Sequence, residues 1–311
     1  MTTSTHSYAE DPRNAGILVD INGQLFPRDE AKVSVLDSGY ILGDGIWEGL
    51  RLHDGRIAFL DRHLDRLFGG ARAIDLDIGL TRDELTARIA ACLEANGMWD
   101  GVHIRLMVTR GLKATPYQAP SAVIGPPTIV ILPEFKDPTP DVYTRGMSLF
   151  TVHVRRGRPD VQDPYLNTHS KHNCIQACIQ AAKAGADEAL MLDPHGFVAT
   201  CNSTHFFIVT KGELWTSSGK YCLDGITRRV ICELGAELGL VVREHDFSLS
   251  SVYAAEEVFV TGTFAGAVSV GSVDGRDFDG PFPAPITARL QAAYIARCER
   301  EPLLPGLTAP A

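Results

Sequence analysis

The stretch that most constrains this chain runs from Asp193 to Arg228, DPHGFVATCNSTHFFIVTKGELWTSSGKYCLDGITR. Its first half alternates apolar and polar residues about Lys211-Gly212, the pattern of a β-hairpin with a two-residue turn. Its second half, Leu223 to Arg228, is a turn that runs straight into a helical pattern. The first N–H groups of a helix have no partner inside it, so such a start is a natural anion site. A hairpin feeding a helix start predicts a phosphorylated ligand lying across a sheet. The rest of the chain must then supply a nucleophile, a cation for the phosphate and a pocket for a second reactant.

With 311 residues the chain can build two domains, each with a core of its own. A net charge of −9 leaves no basic stripe to displace counterions, which argues against a nucleic-acid surface. The longest apolar runs, such as Thr128 to Pro133, are strand-sized and far too short to span a membrane. The N-terminal MTTSTHSYAEDPRN has no apolar core of a secretory signal. Seven cysteines form no Cys-x-x-Cys pair, which suits reduced thiols in a cytoplasmic protein. His169 and His172 have no acidic third ligand nearby, so no metal site is expected.

Taken in order, residues 1–15 read as a polar, flexible tail, and 16–132 as a small α/β domain opened by an Asn22-Gly23 hairpin. Glycines at 39, 43, 45 and 49 mark either a loop between strands or a backbone that approaches a ligand closely. Phe59 to Phe68 has the apolar spacing of one helix face, with Arg62 and Arg66 four apart on another. Thr81 and Glu84 form a capping box that opens a second helix. Alternation through residues 101–111 puts His103, Arg105, Met107 and Thr109 on one strand face; a mid-strand arginine suits an exposed sheet face or a carboxylate pocket equally. The Pro-rich residues 133–146 read as a linker, and 147–311 as a larger cofactor-binding domain. In that domain Lys171 heads a helix that Gly185 stops, and the last helix spans Ile286 to Cys298. Strands dominate both halves and helices cover them, giving a mixed α/β (α+β) class in two domains.

Several motifs now occur together in one order. They are Gly43-Asp-Gly-Ile-Trp-Glu-Gly-Leu-Arg51, Phe59 to Leu67, Lys171 with Ala184 to Leu190, Leu214-Trp-Thr216, Leu223 to Arg228, Val260 to Thr263 and Ser272 to Gly275. From about residue 16 onward the chain resembles the class IV aminotransferases of branched-chain and D-amino-acid type, enzymes of fold type IV that use pyridoxal 5′-phosphate. That resemblance implies a small α/β domain beside a larger one with a β-barrel-like core, and a homodimer. It implies that Lys171 forms the Schiff base with the cofactor. Arg66, Thr263 and the amides of Ile226 and Thr227 would bind its phosphate. Thr200 would face its ring nitrogen, while Tyr40, Trp47, Arg51 and Arg105 would line the substrate pocket. The implied reaction passes an amino group from an amino acid or small amine to a 2-keto acid.

The pattern is departed from at three places. Thr200 stands where the family has a glutamate; its hydroxyl can bond the ring nitrogen but cannot hold a proton there by charge. A weaker electron sink follows, and with it the expectation that Thr200→Glu raises transaminase turnover. His205 replaces an asparagine. Counted strictly from Gly185, Asn167 occupies the lysine position and Lys171 sits four residues later, as a helix shortened by one turn would place it. Thr200 also suits a lyase of aminodeoxychorismate-lyase type, and Asn167 with Thr200 suits a non-catalytic cofactor-binding relative. Gly43-Asp-Gly45 resembles the D-amino-acid branch and Glu48-Gly-Leu-Arg51 the branched-chain one, while residues 111–117 lack the Arg-x-His carboxylate trap, so side chain and stereochemistry stay open.

Overall fold

The computed structural model describes residues 8–309. The chain divides into two compact units, and the division is not a single cut. An N-terminal unit holds residues 9–137 together with 167–170 and the stretch from 298 onward; a C-terminal unit holds 138–166 and 171–297.

In the N-terminal unit the elements are β1 (Leu18–Ile21), β2 (Gln24–Pro27), α1 (Ser38–Leu42), β3 (Gly45–His53), β4 (Arg56–Ile57), α2 (Leu60–Ala73), α3 (Arg82–Ala95), β5 (Val102–Thr109) and β6 (Thr128–Phe135). The six strands form an antiparallel sheet in the order β2-β1-β6-β5-β3-β4. Asn22 and Gly23 both adopt positive φ, as the two-residue hairpin turn requires. The Thr81–Glu84 capping box opens α3. Alternation in β3 and β5 sends Ile46, Leu50, Ile104 and Leu106 to a core shared with Leu67 of α2 and Ile89 of α3. The other face of the same strands carries Trp47, Gly49, Arg51, His103, Arg105 and Met107, paired across the ladder.

Three stretches depart from the sequence expectation. Residues Pro12–Gly16 form a 3-10 turn, and the buried Asn14 side chain accepts from Phe135 N and donates to Phe135 O, both at 2.8 Å. These tail residues are therefore fixed against β6, while residues 1–7 lie outside the described residues. Pro133 belongs to β6 rather than to a linker. It is tolerated because β1 pairs β6 only through Val130 and Ile131, leaving the strand unpaired on that side at residue 133. The C-terminal residues, expected in the larger domain, instead return to the N-terminal unit: Leu304 N donates to Gly55 O at 2.8 Å, and Thr308 donates to the Glu94 carboxylate through N and Oγ1 at 3.0 and 2.6 Å.

The C-terminal unit contains α4 (Asp141–Thr144), β7 (Met147–Thr151), α5 (His172–Lys183), β8 (Glu188–Leu192), β9 (Val198–Cys201), β10 (His205–Thr210), β11 (Glu213–Thr216), α6 (Ile226–Glu237), β12 (Val241–Glu244), α7 (Leu249–Tyr253), β13 (Glu257–Gly262), β14 (Gly266–Val273), β15 (Arg276–Asp277) and α8 (Pro285–Cys298). Its mixed sheet runs β12-β11-β10-β13-β14-β7-β8-β9, with β15 paired to β14. The sheet curls until β9 meets β10, where Cys201 N donates to Thr204 O at 2.9 Å. Lys211-Gly212 and Asp274-Gly275 form hairpin turns with positive φ at all four residues. Helix α5 packs on β7 and β8, and α6 on β12 and β13.

Candidate active site

In the C-terminal unit the residues that the resemblance singles out lie on or beside helix starts and strands. Lys171 is the N-cap of α5, half-buried, so the helix begins directly after it. Asn167 takes no part in that helix. Its backbone O accepts from Trp47 N at 3.0 Å, and its side-chain Nδ2 donates to Trp47 O at 2.5 Å. His169 N donates to Gly45 O at 2.9 Å, so residues 167–170 run along the start of β3 in the N-terminal unit. A side chain at Gly45 would collide with Val108 O and crowd the His169 ring, which is why this part of the Gly-rich stretch is glycine.

Helix α6 begins at Ile226 after Gly225, an N-cap with no side-chain hydrogen bond. The amides of its first turn therefore have no side-chain capping partner. Ile226 and Thr227 are both buried there. His205 packs against this turn: a Cβ added to Gly225 would overlap its imidazole. His205 pairs across the sheet with Thr261, and two residues further along β10, Phe207 stacks on Phe259 at 5.0 Å between ring centroids. Thr263 follows the end of β13, half-buried.

Thr200, on β9, is buried, and its Oγ1 donates to Thr204 O at 2.8 Å. Beside it Glu188 lies fully buried and accepts from Ser203 N at 3.0 Å, Ser203 Oγ at 2.5 Å and Thr204 Oγ1 at 3.0 Å. Burial pushes the Glu188 pKa up further than these donors pull it down. No reading of the sequence singled out Glu188, because its partners lie 15 and 16 residues away across a turn.

In the N-terminal unit Arg66 stands on α2, and Glu48 of β3 holds it by Nε at 2.9 Å and Nη2 at 2.6 Å. His63 Nδ1 lies 2.7 Å from the same carboxylate. Burial pushes the Glu48 pKa up, but Arg66 and His63 more than offset it, and the net shift is downward. The cues in the sequence were the four-residue spacing of Arg62 and Arg66 and the Phe59–Leu67 motif; Glu48 stood inside the Gly43–Arg51 motif with no role of its own.

The second face of the N-terminal sheet gathers the expected pocket residues unequally. The Arg105 guanidinium lies over the Trp47 ring, 3.8 Å from its centroid, and among the described residues it has no ion pair or hydrogen bond. Burial lowers its pKa, with Glu134 opposing. Gly49, between Trp47 and His103, keeps that niche open. Arg51 lies on the same strand face, and its guanidinium is engaged by His53, Lys136 O and Asp137, which ties the end of β3 to residues 136–137. Tyr40 projects from α1 and is 73% exposed.

This fold and donor set define a class, and the comparisons with known proteins agree. Residues 45–273 match the amino-transferase class IV family. The chain belongs to that family. It is 39% identical over 283 residues to branched-chain-amino-acid aminotransferase-like protein 2 of Arabidopsis thaliana, covering 91% of this chain and 50% of the relative. The chain thus spans about half the length of that relative. It is 37% identical over 276 residues to a putative branched-chain-amino-acid aminotransferase of Methanocaldococcus jannaschii, covering 88% of this chain and 94% of the relative. Among solved structures, the branched-chain amino acid aminotransferase of Thermobaculum terrenum in its PLP form superposes with a TM-score of 0.81 at 25% identity, covering 93% of this chain and 96% of the other.

Proposed function

We propose that this chain is a pyridoxal 5′-phosphate-dependent aminotransferase that moves an amino group between an amino acid and a 2-keto acid. The donor set fits the cofactor: a lysine at a helix head, a helix start without a side-chain cap and hydroxyls at nearby strand ends. When bound, the cofactor supplies the aldehyde that receives the amino group and a ring that draws electrons from the reacting carbon. Lys171 Nζ would hold the cofactor and would serve as the base that moves the proton of the substrate Cα. The amides of Ile226 and Thr227 and the Thr263 hydroxyl would hold the phosphate and Thr200 would face the ring nitrogen; Arg66 is proposed for the phosphate from the resemblance alone.

The observation that carries the substrate class is Arg105, a half-buried cation that lies over an aromatic ring and has no hydrogen-bonded carboxylate, only the charge of Glu134 acting on it. Such a guanidinium suits a carboxylate, which both amino and keto acids bring. Trp47 shapes the wall beside it, Arg51 holds the strand end, and Tyr40 is exposed, as are Val33, Val35 and Leu42 near it in sequence. Exposed apolar side chains of this kind are proposed to belong to the face that a second copy covers in a homodimer. A cytoplasmic setting is proposed as well, since the seven cysteines form no Cys-x-x-Cys pair.

The test is a half-reaction. The cofactor-loaded protein, mixed with a single amino acid and no keto acid, converts its cofactor to the amine form with an L-branched-chain or a D-amino acid. Pyruvate release under those conditions, without that conversion, would replace the transaminase reading by the lyase. No spectral change with any amino acid would favour the non-catalytic alternative.

A further inference from the structure

We propose that Thr200 meets the ring nitrogen of the cofactor as a hydrogen-bond acceptor, held in that role by the buried carboxylate of Glu188, so that the nitrogen is bound in its protonated form. The inference rests on the assignment of Thr200 under the proposed function and reverses what its identity alone suggests.

A hydroxyl has one proton and two lone pairs. The Thr200 proton is already directed at Thr204 O, 2.8 Å away in a buried setting, and that carbonyl is fixed from a second side by Cys201 N at 2.9 Å. The turn that presents it is tied to β8. Ala189 N donates to Asn202 Oδ1 at 2.8 Å, and Asn202 N donates to Ala189 O at 3.1 Å. Glu188 then takes Ser203 N, Ser203 Oγ and Thr204 Oγ1 together, so these donors of the turn point inward at one acceptor-rich group.

The consequence is directional. An unprotonated ring nitrogen would set its lone pair against those of Thr200 Oγ1 unless the hydroxyl gave up its bond to Thr204 O. A protonated nitrogen donates into those lone pairs directly, as a charge-assisted bond. Thr200 thereby selects the protonated ring without supplying a charge. Glu188 is a positioning residue: it orients Thr204, whose carbonyl orients Thr200. A glutamine at 188 would keep one acceptor oxygen and put an amide donor in place of the other, taking the acceptor from at least one of the three donors and loosening that chain of orientation.

The protein is reconstituted with cofactor labelled with 15N at the ring nitrogen, and its NMR shift is read at a pH above neutrality. The expected wild-type signal is of the protonated type, retained in Thr200→Ser and moved toward the neutral type in Thr200→Val. Glu188→Gln is expected to move it the same way, with folding checked by circular dichroism; Thr200→Val, nearly isosteric, carries the test if that variant does not fold. A neutral-type signal in the wild type, or a protonated-type signal retained in Thr200→Val, would overturn the inference while leaving the functional reading intact. Failure of the wild type to bind labelled cofactor at all would overturn the functional reading and this inference with it.

Discussion

Glu48 and Glu188 are buried carboxylates of their respective units, one beside a cation and the other among neutral donors, and their pKa values move in opposite directions. Burial raises both. In the N-terminal unit Arg66 and His63 supply charge and hydrogen bonds that outweigh it. In the C-terminal unit Ser203 and Thr204 supply hydrogen bonds alone, and burial wins. A cation thus turns a buried carboxylate into an ionic fastening, whereas hydroxyls turn it into a device for orienting a turn. The first arrangement holds an arginine assigned to a phosphate. The second orients a threonine assigned to a ring.

The largest effect that would break this contrast is Glu48→Ala, which takes the shared carboxylate from a partly buried arginine and a buried histidine. It should cost about 3–5 kcal/mol of unfolding free energy, measured by denaturant titration. A cost near that of an ordinary surface change would mean the ionic fastening is unimportant. In the C-terminal unit geometry should matter more than charge. Gly225→Ala is expected to cost about 1–3 kcal/mol by overpacking against His205, and most of that should return in a His205→Ala background.

Acidification sharpens the comparison further, because the two glutamates act with opposite sign. Glu48 has a depressed folded pKa, so its contribution is present above the unfolded value of about 4.3 and is lost as pH falls through the folded value. Glu188 has a raised one, so its contribution is full below about 4.3 and is lost as pH rises through the folded value. Denaturation midpoints of the wild type, Glu48→Gln and Glu188→Gln should therefore diverge in opposite senses. The gap to Glu48→Gln narrows toward low pH, and the gap to Glu188→Gln widens.

The smallest effect is on turnover. If Thr200 already selects the protonated ring, Thr200→Glu should change transaminase turnover by less than about tenfold, or about 1.4 kcal/mol of barrier. A larger rise would restore the expectation drawn from its identity alone.

Local chemistry made much of this fold legible. Asn22-Gly23, Lys211-Gly212 and Asp274-Gly275 turn where their residue types demand, and Thr81 caps where its partner Glu84 allows. What could not be read depends on residues distant in sequence. Pro133 looks like a linker until the short β1 ladder shows why a strand tolerates it. The partner of Arg51 could not be read either, because Asp137 lies 86 residues on. Residues 167–170 leave one unit for the other because their backbone completes hydrogen bonds with β3, and nothing in Asn-Thr-His-Ser announces that. The candidate site was legible as motifs, and its orienting glutamates were not.

The same excursion bears on the central claim that Lys171, rather than the residue at the counted position, carries the cofactor. Asn167 is committed to the Trp47 backbone, whereas Lys171 heads α5. Borohydride reduction of the cofactor-loaded protein, followed by peptide mass spectrometry, reads this directly. The account predicts one modified lysine, Lys171, and loss of both the modification and the cofactor absorbance in Lys171→Ala; a label on Lys183 or any other lysine, or an unchanged spectrum in that variant, would contradict it.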